Sequence, residues 1–154
     1  MEVQTILWPT DLSKNSLKAA RQVVSLAAKY QARVIMMYVG TDLTVMDQSY
    51  GYPSQEHLRH FQDWELDKAK KQMEGICETD LKACPMLQVK LVQGQPDVEI
   101  LKAIKEEKAD LLVMTTHGKG HDNLDQKTVE FGSVARRVLA QSPIPVHLVN
   151  PLMT

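Results

Sequence analysis

Four short runs of almost uninterrupted apolar residues, 6–8, 34–39, 111–114 and 146–149, set the strongest limit on what this chain can become. A strand covered on both faces reads this way, because neither set of alternate side chains meets water. The runs predict buried parallel strands. A fifth run alternates: Leu87, Val89 and Leu91 fall on one side, Gln88 and Lys90 on the other, as expected of a half-exposed strand near a sheet edge. Between the runs lie helical patterns. Leu17, Ala20, Val24 and Ala27 mark the first, and Leu58, Phe61, Glu65, Ala69, Met73 and Ile76 the second. Pro96 opens a third, with Val98, Leu101 and Ile104 at helical spacing, and Val134, Val138 and Leu139 mark a fourth.

Strands alternating with helices predict a doubly wound, three-layer α/β/α sandwich with right-handed crossovers. At 154 residues the whole chain, 1–154, reads as a single domain with one core. The net charge of −1 and the lack of a long basic run argue against a nucleic-acid partner. No apolar stretch approaches the ~20 residues that span a bilayer, and no basic and apolar leader precedes the first strand. No membrane association and a cytoplasmic location are therefore expected. Cys77 and Cys84 fit neither a CxxC redox pair nor a zinc spacing and are expected to be reduced thiols.

In doubly wound sheets ligands lie beyond the carboxyl ends of the strands. Those ends carry Pro9, Thr10 and Asp11 after the first run, Val39 and Gly40 after the second, and Met114, Thr115, Thr116, His117 and Gly118 after the fourth. Gly132, Ser133 and Val134 then start the last helix, where free N–H groups suit an anion. Asp11 and Ser13 can equally cap the turn into the first helix, and Ser133 can cap the last one. His117, His121, Asp122 and Asp125 have no recognised metal-ligand spacing, and no metal site is expected. No catalytic triad, paired carboxylates or GxxxxGK[ST] loop can be assembled, so no catalytic residues are assigned.

Over essentially its whole length the sequence resembles the universal stress protein family. The resemblance rests on residues 6–13 with their Asp-containing turn, on 34–39, and on Gly94-Gln95-Pro96. It continues through His117-Gly118 with Gly132-Ser133-Val134 and the proline-punctuated stretch 143–146. It implies an adenine-nucleotide alpha hydrolase-like fold, a five-stranded parallel sheet in the order 3-2-1-4-5. It also implies that ATP or another adenine nucleotide, with or without Mg²⁺, binds as a sensor or switch ligand. Asp11 and the backbone near Val39 would then contact adenine, and Gly118, Gly120, Gly132, Ser133 and Val134 would border ribose and phosphates.

The nucleotide-binding branch has the loop Gly, two residues, Gly, nine residues, then Gly with Ser or Thr. Here Thr115 replaces the first glycine, and thirteen residues separate Gly118 from Gly132. Thr115 and Thr116 would add hydroxyl contacts. The resemblance further implies a stress-response homodimer joined through the final strand, Val146–Val149. The alternative is a family member that binds no nucleotide and acts through its dimer surface and loops. Hydrolysis is expected to be slow or absent.

Overall fold

The computed structural model describes residues 2–42, 54–84, 86–116 and 132–153. The elements run β1 (Thr5–Pro9), α1 (Lys14–Leu17), α2 (Ala20–Tyr30), β2 (Arg33–Gly40), α3 (Gln55–Thr79) and β3 (Met86–Gln93). They continue through α4 (Pro96–Glu106), β4 (Leu111–Thr115), α5 (Ser133–Gln141), β5 (Val146–Val149) and a 3-10 turn at Pro151–Met153. All five strands are parallel, in the order β3-β2-β1-β4-β5. Three of the four continuous apolar runs are the inner strands β1, β2 and β4, and the alternating β3 is an edge, as its pattern predicts; the fourth run, 146–149, is the other edge, β5, where only Val149 is buried.

Successive side chains of a strand point to opposite faces, so the sheet has two cores. Ile6, Trp8, Val34, Met36 and Val113 pack with Val23, Ala27, Met73 and Ile76 of α2 and α3. Leu7, Ile35, Met37, Leu112 and Met114 pack with Ile100, Ile104, Ala135 and Val138 of α4 and α5. Local signals place the helix ends. Ser13 and Ser54 accept from the N–H groups of Ser16 and His57, Gln31 ends α2 in a left-handed conformation, and Pro96 occupies the first turn of α4. Gly94 supplies the turn before α4 at φ 148°, a conformation that strains any side chain.

Several sequence expectations need correction. The first helical pattern is two helices, because the N–H groups of Lys18 and Ala19 bond back only three residues, to Asn15 and Ser16, and tighten the chain between α1 and α2. On α3, Phe61 is half exposed and tilts against Trp64, while Gln62 takes the buried position. Val98 and Leu139, expected in the core, are exposed. Helix α4 is instead rotated to bury Asp97, Ile100, Ala103 and Ile104. Asp97 tolerates burial because Arg137 of α5 reaches it at 3.4 Å.

The amino ends of the strands are tied shut. Asp110 accepts from the N–H groups of Gln4 and Thr5 at 3.0 Å each, and the Arg33 guanidinium binds the Gln88 side chain and the Glu107 carbonyl. The carboxyl ends differ. β1 pairs with β2 as far as Pro9 and Met37, but with β4 only at Ile6–Leu111 and Leu7–Leu112. Thr5 faces β4, since its carbonyl accepts from the Asp110 N–H; by alternation Pro9 faces β4 too, and it has no N–H to donate. The sheet therefore opens between β1 and β4, at its topological switch point.

Candidate nucleotide-binding cleft

Beyond that opening lies a cleft of about 300 Å³, at the lower end of the ~300–1,000 Å³ usual for small-molecule sites. Met37, Val39, Pro96, Ile100 and Met114 give it an apolar lining, and Thr10, Asp11, Ser16, Thr115, Thr116 and Ser133 supply polar groups. Flat apolar walls with a few placed hydrogen-bonding groups suit a planar heterocycle carrying a polar substituent.

The first wall is a turn held by its own side chains. Thr10 Oγ1 accepts from the Leu12 N–H at 3.0 Å, and the buried hydroxyls of Thr10 and Ser16 lie 2.6 Å apart. Asp11 Oδ1 accepts from the Ser13 N–H at 2.9 Å, and Ser13 caps α1. Leu12 sits at φ 65°, a cost tolerated only where neighbours fix the chain. The capping reading of Asp11 and Ser13 thus holds geometrically, while the Asp11 carboxylate remains on the cleft wall.

The second wall is a strand edge. The Met37 carbonyl accepts from the Thr10 N–H at 2.8 Å, so Met37 faces β1; the Gly40 carbonyl accepts from the Gly94 N–H at 2.9 Å, so Gly40 faces the β3 side. By alternation the N–H and C=O of Val39 both face β1, one step beyond its last pair with β2. A donor and an acceptor side by side are therefore directed toward the cleft.

The third wall joins β4 to α5. Thr115 and Thr116 are buried, and the Gly132 N–H donates to the Thr116 carbonyl at 2.8 Å, so the connection leaves and returns at one place. Gly132, not Ser133, is the N-cap of α5, and among the described residues no side chain caps this helix. Its first amides, from Ser133, Val134 and Ala135, border the cleft. Gly132 has an ordinary φ of −56°, and a Cβ there would lie 3.5 Å from the Thr116 carbonyl oxygen, an unremarkable contact. Among the described residues nothing requires glycine at this position.

The structure brings Pro9, Thr10, Asp11, Val39, Met114, Thr115, Thr116, Gly132, Ser133 and Val134 to one cleft. His117, Gly118 and Gly120 lie outside the described residues. Sequence reasoning missed Ser16, Met37, Ile100 and Ala135 as lining. Ser16 lies six residues past Thr10, and Met37 shares the strand parity of Val39; both signals become readable only with the turn and the register in hand.

Behind Val39, the Tyr38 hydroxyl donates to Glu65 Oε1 at 2.9 Å. Burial first, then the Glu65 hydrogen bond and charge and the more distant Asp11 carboxylate, push this phenol from 10.0 up to about 12. The folded state therefore holds the proton more tightly than the unfolded chain. The stability this confers is complete below pH 10 and is lost as pH rises through about 12. Alkaline unfolding midpoints should fall more steeply across that window for the native protein than for Tyr38→Phe.

Among the described residues no group of three or more His, Cys, Asp or Glu could hold a metal ion. Cys77 and Cys84 are free and half-buried, and burial pushes both thiols up. Also among the described residues, no helix is long and apolar enough to cross a membrane.

Comparison with known proteins agrees with this architecture. A universal stress protein of Methanocaldococcus jannaschii, MJ0531, is 32% identical over 94% of this chain and 81% of its own. The solved structure of universal stress protein UspA from Lactobacillus plantarum superposes with a TM-score of 0.79 at 25% identity, covering 97% of this chain and 99% of that one. Two more distant structures share the fold. One is a universal stress protein in complex with cAMP, with TM-score 0.60, 22% identity and 98% and 99% coverage. The other is the universal stress protein from Archaeoglobus fulgidus in complex with dAMP, with TM-score 0.62, 18% identity and 97% and 100% coverage. The model of the universal stress protein family matches residues 2–150, and the chain belongs to that family.

Proposed function

We propose that this universal stress protein binds an adenine nucleotide in the β1/β4 cleft, as a sensor or switch rather than as a catalyst. The observation that carries the reading is the Val39 edge. Adenine offers an N6 amino donor beside an N1 acceptor, and Val39 offers a backbone C=O beside an N–H; the two polarities are complementary. Met37, Ile100 and Met114 would cover the faces of the base, with Asp11 accepting at its rim. The first amides of α5, from Ser133, Val134 and Ala135, would receive the phosphate, and the Ser133, Thr115 and Thr116 hydroxyls add donors.

The complexes of two fold relatives with cAMP and dAMP support an adenine nucleotide as the ligand. ATP with Mg²⁺ extends the same binding mode past the α5 terminus. β5 lies at the sheet edge, and by the alternation that turns the Pro145 and Val149 carbonyls toward β4, the backbones of Val146 and Leu148 face outward. An edge of this kind needs a partner. Antiparallel pairing of Val146–Val149 with its twin would form a C2 homodimer.

The test is to denature the purified protein, identify any released nucleotide, and compare AMP binding by the native protein and Asp11→Ala. Loss of one charged hydrogen bond should weaken binding about tenfold, the equivalent of ~1.4 kcal/mol. Unchanged affinity would remove Asp11 from the site.

A further inference from the structure

Helix α3 lies on the face of the sheet opposite the apolar cleft lining, yet it holds the strand end that borders the cleft. Gln62 is only 3% exposed. Its two amide protons are both used, one on the Thr41 carbonyl and one on Asp42 Oδ1, each at 3.1 Å. One turn on, Glu65 accepts from the Tyr38 hydroxyl. Leu66 Cδ2 lies 3.1 Å from where a Gly40 Cβ would stand, so the bare glycine lets the helix approach the strand closely. On the other side the Gly40 carbonyl is held by the Gly94 N–H.

Tyr38, Gly40, Thr41 and Asp42 are thus each tied to α3 or to the turn after β3. None of these bonds uses the β1-facing edge of Val39. A leucine at position 62 would continue the stripe of Leu58, Ala69, Met73 and Ile76 without the cost of burying an amide. The glutamine serves a different end.

We infer that Gln62 and Glu65 of α3 are positioning residues for adenine recognition: they fix β2 on both sides of Val39 so that its N–H and C=O meet the base in one geometry. This inference rests on the nucleotide reading above and assigns the base selectivity of that site to side chains that never touch the ligand. A bond between rigid partners discriminates far better than one whose partners can re-aim.

The experiment compares AMP with IMP, in which hypoxanthine reverses the donor and acceptor at positions 1 and 6. Dissociation constants for both are measured calorimetrically with the native protein, Gln62→Leu, Tyr38→Phe and Glu65→Gln. The native protein should prefer AMP by about tenfold or more, one well-placed pair of hydrogen bonds. Gln62→Leu should reduce that preference about fivefold, the equivalent of about one hydrogen bond. Tyr38→Phe should reduce it less, and Glu65→Gln, which keeps an acceptor for the tyrosine hydroxyl, should leave it unchanged.

A Gln62→Leu protein that binds both nucleotides more weakly but with the native preference would overturn the inference, since that is the signature of stability alone. If Gln62→Leu does not fold, Tyr38→Phe decides: an unaltered preference is the negative result. Equal native affinity for AMP and IMP overturns this inference together with the base contact at Val39 on which it rests, but not nucleotide binding itself. No saturable native binding of AMP overturns the nucleotide reading beneath it.

Discussion

Replacing Trp8 with alanine is expected to destabilise the protein by about 3–5 kcal/mol, the range for deleting a fully buried tryptophan. Trp8 is the largest fully buried side chain, in the middle strand of the sheet, and it belongs to the core beneath α2 and α3. A loss of that size is between about a fifth and the whole of the ~5–15 kcal/mol that typically holds a domain together. Trp8→Phe should cost much less. Among the described residues the Trp8 indole N–H finds no acceptor, and a buried donor without one costs about 1–3 kcal/mol, which phenylalanine removes while keeping most of the ring. Urea unfolding followed by circular dichroism checks both. Equal losses for the two variants would mean that the indole nitrogen is satisfied in solution.

Ser133→Glu should separate stability from binding more sharply. Position 133 is the first residue of a helix that has no side-chain cap among the described residues, and it is exposed. A carboxylate there complements the positive helix terminus and should change stability by between zero and about +1 kcal/mol. The same charge would occupy the place assigned to phosphate. AMP affinity should therefore fall by about a hundredfold, from lost amide contacts and like-charge repulsion together, while neutral adenosine should be affected no more than about twofold. Thermal unfolding and paired titrations measure the two effects. Parallel loss of AMP and adenosine would place the phosphate elsewhere.

The fold was legible because burial on both faces leaves a direct trace in sequence: residues 34–39 cannot be read as anything but an inner strand, and Gln88 and Lys90 mark β3 as an edge. Helix faces were less legible. Phe61 and Gln62 are neighbours, and hydrophobicity assigns the wrong one to the core, because the bonds that make Gln62 acceptable there come from Thr41 and Asp42, distant in sequence. The same holds for Asp97, whose partner Arg137 sits on another helix.

In the cleft, Asp11, Thr115 and Thr116 could be placed from the strand ends, and Gly132 and Ser133 from the start of the last helix. The opening itself could not: it follows from Pro9 facing β4 and from the parity of Val39, both properties of register. Gly132 was placed by the start of the last helix; its φ is ordinary, and among the described residues a Cβ there would meet only the Thr116 carbonyl oxygen, at 3.5 Å.

The most direct test of the account is calorimetric titration of the purified, nucleotide-free protein with AMP, cAMP and ATP, with and without Mg²⁺. Saturable binding of at least one adenine nucleotide, weakened by Asp11→Ala and nearly abolished by Ser133→Glu, is the predicted result. Absence of saturable binding to all of them at millimolar concentration would contradict it.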